Sequence, residues 1–233
     1  PDGWVLNEPG ALLRALADGF KRSGGEVRTG QAAVTIRGGG GSGGGASVEL
    51  EDGTILEADE VVIAAGAHSA GLVTRSLGEW CPLDSERGYH VAFEPGSERI
   101  LSRGVTDASS GWIATPMAGG LRVAGKVELG GVQAPPTPAR WDRIEAEAQS
   151  VIDGVGSRVS NSDWLGFRPT MPDALPVIGR SRTMPAVLYA FGHQHVGWTL
   201  GGITGRLIAE LADGKVPSID LHPYRLDRFQ LFG

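Results

Sequence analysis

The sequence predicts an α+β chain: an α/β domain in two pieces, with an antiparallel sheet inserted between them. Three observations carry that expectation. Val61-Val62-Ile63 and Val187 to Phe191 are unbroken apolar runs, as in strands buried on both faces, and each runs into small residues. From Leu83 the grammar changes to period-2 alternation, with Tyr89, Val91 and Phe93 on one face and His90, Ala92 and Glu94 on the other. The α/β grammar then returns, so the split domain is expected over 1–80 and 166–233 and the insert over 81–165.

The elements follow in order. Asn7 and Pro9 suit a helix start, and Leu12, Leu13, Leu16, Ala17 and Phe20 recur at helical spacing until Ser23-Gly24-Gly25, which predicts a helix with one buried face. Glu26 to Ile36 reads as a strand. The glycine-serine tract from Arg37 to Ala46 is a flexible connection to the next strand, Ser47 to Leu50, with no function expected of it. Glu51-Asp52-Gly53-Thr54 makes a tight turn back along Ile55 to Ala58. After Val61 to Ile63, Ala64-Ala65-Gly66-Ala67 lets the backbone come close to a ligand. In the insert, strands are expected at residues 111–115 and 121–124, then a helix from about Thr137-Pro138 whose Trp141, Ile144, Ala148, Val151 and Ile152 form core. The last strand meets the turn Gly192-His193-Gln194-His195-Val196-Gly197, then a helix with Leu200, Ile203, Leu207, Ile208 and Leu211 inward and Gly214 past its end. Strand, glycine turn and helix aim free N–H groups and a positive helix end at negative charge.

Composition narrows the function classes. A chain of 233 residues, 41% hydrophobic and 21% charged, can bury a large core. With 27 acidic against 21 basic residues and no Lys/Arg block, nucleic acid is not an expected partner. One cysteine, Cys81, and no apolar span or leader point to a reducing, cytoplasmic setting, at most peripheral to the inner membrane. His193 and His195 lack a third ligand in a closing pattern, so no metal is expected.

Four stretches carry a resemblance: ADEVVIAAGAHSA at 58–70, RGYHV at 87–91, GFRPTMPDALPVIG at 166–179 and YAFGHQHVGWTLGGITGRLIAEL at 189–211. With them the chain resembles the C-terminal part of the FAD-dependent D-amino-acid dehydrogenase, glycine oxidase and D-amino-acid oxidase family, most of all bacterial D-amino-acid dehydrogenase. The resemblance implies an FAD-binding, Rossmann-like α/β domain with a substrate-binding sheet inserted. It implies oxidative deamination of D-amino acids by hydride transfer from the α-carbon to non-covalently held FAD, with no catalytic acid or base. Arg168 stands where the family holds the substrate carboxylate, and a planar guanidinium matches a carboxylate bidentately. Gly192, His193, Gly197, Trp198, Thr199 and Leu200 stand where the flavin ring lies, and Val34, Ala65 and Gly66 flank the adenosine end. Tyr89, preferred to His90, and His195 are expected to face substrate.

The strand, GxGxxG turn and helix that open the family's cofactor site are absent from all 233 residues. The chain, which begins at Pro1, is therefore read as a C-terminal fragment that binds FAD poorly alone. Glycine or sarcosine oxidation, a subunit whose partner chain supplies the missing FAD-binding half, and a non-catalytic binding module remain alternatives, and the electron acceptor stays open.

Overall fold

The computed structural model describes Leu6, residues 8–39 and residues 44–229. Its elements are α1 (Pro9–Arg22), β1 (Ala33–Gly38), β2 (Ala46–Leu50), β3 (Ile55–Ala58), β4 (Val61–Ile63), α2 (Ser69–Leu77), β5 (Asp84–Ala92), β6 (Val105–Asp107), β7 (Trp112–Met117), β8 (Gly120–Leu129), α3 (Ala139–Val151), β9 (Trp164–Thr170), β10 (Val177–Arg180), β11 (Val187–Phe191) and α4 (Gly197–Ala212). The fold is α+β. It divides into a first unit, residues 1–29, 87–128 and 133–166, and a second, residues 30–86, 129–132 and 167–233. Residues 1–29 thus group with the inserted sheet, whereas the sequence suggested 1–80 as part of the split domain.

In the first unit, five strands lie in the order β6-β7-β8-β5-β9. Alternation puts Tyr89, Val91, Phe93, Trp112, Ala114, Leu121 and Val123 on one face, where they form a core with Trp141, Ile144 and Ala148 of α3. The Tyr89 ring meets Trp141 edge-on at 5.2 Å. Its hydroxyl donates to Glu128 at 2.5 Å, and Glu128 also accepts from Thr137 Oγ1 at 2.9 Å and Arg140 Nε at 3.2 Å. A buried phenol needs such a partner, and the carboxylate answers three donors at once. Trp141, Ile144, Ala148 and Ile152 are core as expected, but Val151 is 61% exposed.

Helix α1 departs from expectation. Leu13 is 56%, Leu16 59% and Phe20 54% exposed, so the apolar stripe is present but no described residue covers it. Asn7, the expected helix start, lies outside the described residues, as does part of the glycine-serine tract. The expected strand from Glu26 begins only at Ala33, after the turn at Gly30.

The second unit holds two three-stranded sheets. One is the meander β1-β2-β3; the other has the order β10-β11-β4. β11 runs parallel to β4, pairing Val187 with Val61 and Tyr189 with Ile63, while β10 returns antiparallel to β11. Ile63, Val177, Val187, Tyr189 and Phe191 pack with Leu72, Val73 and Leu77 of α2, which the sequence reading had not separated from the small-residue run before it. Ile36 ties β1 to α2 through its N–H and Ser76 Oγ at 2.9 Å. Beyond α2, buried Glu79 accepts from the Ser181 hydroxyl, from Thr183 Oγ1 at 2.9 Å and from Thr183 N–H at 3.2 Å. Among the described residues no helix is long and apolar enough to cross a membrane.

Candidate functional site

Arg168 sits on β9, just before Pro169. Its guanidinium is half-buried and Nη1 has no hydrogen-bond partner. Burial pulls its pKa down, and the negative charge of Glu86 opposes that pull. No described side chain hydrogen-bonds to the guanidinium. A half-buried guanidinium left without a bonded partner is a poor structural device and a good anion receptor.

The glycine turn lies beside this arginine. Gln194 N–H donates to the Pro169 carbonyl at 2.9 Å, and Thr170 bridges His193. The two stretches read separately in the sequence therefore belong to one locus of the second unit. Gly192 takes φ 86°, and a Cβ there would lie 2.9 Å from Met171 Cγ, so both backbone and space call for glycine. The turn leads into α4, whose first N–H groups receive no side-chain cap and whose first turn holds no acidic residue. A groove of about 370 Å³ runs here, lined by Val62, Ala64, Ala190, Gly197, Gly201 and Gly205 among others. Small residues, an uncapped helix start and a positive dipole end suit the anionic edge of a flavin ring.

The remaining expected site residues fall in different places. His193, half-buried, turns its Nε2 to Thr204 Oγ1 at 2.9 Å, and burial lowers its pKa, which keeps the ring neutral. His195 is outside the groove lining and pairs with Glu86 at 2.9 Å. Glu86 therefore acts on both Arg168 and His195; it lies 109 residues from His195, and no motif spacing marks it. Trp198 is 53% exposed. Thr199 is exposed and Leu200 half-buried on the first turn of α4. Val34, on β1, receives Arg75 Nε at its carbonyl at 3.4 Å; Ala65 is exposed and Gly66 opens a 3₁₀ turn with φ 55°. Tyr89 is a correction: at 1% exposure, with its hydroxyl on Glu128, it faces the core, and His90 takes the opposite face. A larger hollow of about 730 Å³ lies at Gly179, Leu211 and Pro217, away from this locus. Arg180 there is already bonded to the Pro185 and Leu211 carbonyls, and Arg225 to Asp227.

The family model for FAD dependent oxidoreductase matches residues 1–211. A D-amino-acid oxidase of Bradyrhizobium diazoefficiens is 38% identical over 224 residues, covering 94% of this chain and 48% of that protein. A D-amino acid dehydrogenase of Cereibacter sphaeroides is 32% identical over 183 residues, covering 78% and 41%. Among solved structures, glycine oxidase from Geobacillus kaustophilus superposes with a TM-score of 0.81 at 25% identity, covering 95% of this chain and 58% of that one. The chain thus spans about half the length of these curated relatives. It belongs to the D-amino-acid oxidase family of FAD-dependent oxidoreductases, enzymes that use FAD as cofactor.

Proposed function

We propose that this chain carries the substrate-carboxylate and flavin-ring half of an enzyme that oxidises D-amino acids. The observation that carries the reading is Arg168: a half-buried guanidinium without a bonded partner, joined through Pro169 to the glycine turn that opens α4. In this reading Arg168 holds the α-carboxylate through two parallel hydrogen bonds and so fixes the α-carbon. Gly192, Gly197 and the start of α4 hold the flavin ring, and the helix end stabilises negative charge that builds there. FAD, when bound, supplies the hydride acceptor. His193, neutral and bonded to Thr204, braces the turn against α4 and moves no proton. No side chain is assigned as acid or base, so the amino group arrives neutral. His195 and Glu86 form a polar pair beside Arg168, and Val34, Ala65 and Gly66 take the adenosine end.

The dinucleotide phosphates need a strand, glycine turn and helix, and we assign these to a segment outside the 233 residues, on this polypeptide or a partner. The length of the relatives supports this, as does β4, an edge strand of its sheet with Val62 43% exposed. The names of the two relatives favour D-amino acids; the likeness to glycine oxidase supports glycine or sarcosine as the second reading. The test is turnover with FAD and a dye acceptor by the product of the complete gene, including whatever is encoded upstream of Pro1. D-amino acids turned over in preference to glycine and sarcosine support the first reading, and the reverse order supports the second.

A further inference from the structure

The sheet of the first unit has a second face, opposite α3. Tyr89 and Val91 of β5 and Leu121 and Val123 of β8 point into the core, so His90 and Arg122 between them point the other way. Phe93 N–H bonds the Leu121 carbonyl at 2.8 Å, which sets the two strands side by side. The His90 ring stacks on the Trp164 indole, with centroids 4.8 Å apart and planes 17° off parallel. That indole lies along its own strand over Gly166, where a Cβ would stand 2.1 Å from the ring. Glycine is what makes room for it.

Arg122 has no carboxylate of its own. It is half-buried, its Nε is enclosed without a hydrogen-bond partner, and none of the described residues forms an ion pair with it. Asp163, the acid whose charge is felt at His90, is already engaged: it takes Arg158, through Nε at 2.9 Å. Burial and, after it, the Arg122 charge push His90 down to about 4, with Asp163 opposing, so the imidazole is neutral at physiological pH. A desolvated guanidinium with its fork unmet beside a neutral donor ring is built to receive a planar anion.

We propose that Arg122, beside the His90 ring that stacks on Trp164, is a carboxylate-binding subsite. Its ligand is either the side-chain carboxylate of a dicarboxylic amino acid or a small free carboxylate. The assignment concerns the first unit alone and stands whether or not the chain oxidises amino acids.

The test follows the His90 ring signals of the 233-residue chain by NMR across pH, with the signals identified by their loss in His90→Gln. At pH 7, where both ligands are anions, D-glutamate or propionate shifts the His90 ring signals saturably, and because an anion on Arg122 cancels a neighbouring positive charge, His90 titrates higher as long as the ligand stays ionised. Arg122→Gln raises the ligand-free titration in the same direction and abolishes the response. Arg122→Lys keeps the charge, and so the low titration, and responds at higher ligand concentration; it serves if the glutamine variant fails to fold. D-glutamate saturating at about tenfold lower concentration than propionate assigns a dicarboxylic amino acid as ligand, and equal concentrations assign a small free carboxylate. No response to either ligand, or a response that survives Arg122→Gln, overturns the proposal.

Discussion

At the scale of single residues, two positions stand out: Arg168, a half-buried guanidinium without a bonded partner, and Gly192, whose place admits no side chain. Alanine at 192 would adopt φ 86° and crowd Met171, so Gly192→Ala is expected to cost about 2 kcal/mol in urea unfolding. An unchanged midpoint would show that the turn relaxes freely. Arg168 stands out in the sequence because its GFRP setting is distinctive. The face of Tyr89 could not be read there. Period-2 alternation separates Tyr89 from His90 but does not say which side α3 covers, and a tyrosine serves equally as a core aromatic with a bonded hydroxyl or as a ligand contact. Trp141, 52 residues downstream, settles it by packing edge-on against Tyr89.

At the scale of elements, strands whose burial shows as an unbroken apolar run were readable: β11 spans Val187–Phe191 and β4 Val61–Ile63, as expected. α2 was hidden, since Ser69-Ala70-Gly71 gives little helical signal and its first anchor, Leu72, comes late. β9 was hidden too, because Gly166 and Pro169 interrupt any strand pattern. Glu86 and Glu79 act across long sequence separations and leave no local trace. Glu79 joins the segment after α2 to the loop between β10 and β11 through Ser181 and Thr183, 102 and 104 residues away. Removing it strands buried donors, so Glu79→Ala is expected to lower stability by about 3 kcal/mol, and Glu79→Gln, which keeps a carbonyl acceptor, by less than half of that. Equal losses in the two variants would mean that the charge, and not the hydrogen bonding, matters there.

At the scale of the whole molecule, the fold class and the α/β grammar at both ends of the chain could be read directly, because buried parallel strands and half-exposed antiparallel strands have different periods. The fate of α1 could not. An amphipathic stripe states that a face prefers burial, not that a cover is present, and Leu13, Leu16 and Phe20 stay open to solvent. In the proposed function the dinucleotide-phosphate site lies in the length of the relatives that this chain does not span. In that proposal the chain itself holds the contact to the reacting molecule, at Arg168. The most direct measurement is therefore steady-state oxidation of a D-amino acid by the complete gene product with FAD and a dye acceptor, comparing Arg168→Met with the unaltered enzyme. Loss of a bidentate charged contact predicts KM raised about a hundredfold with a smaller change in kcat; KM and kcat both unchanged in Arg168→Met would contradict the assignment of Arg168 to the substrate carboxylate.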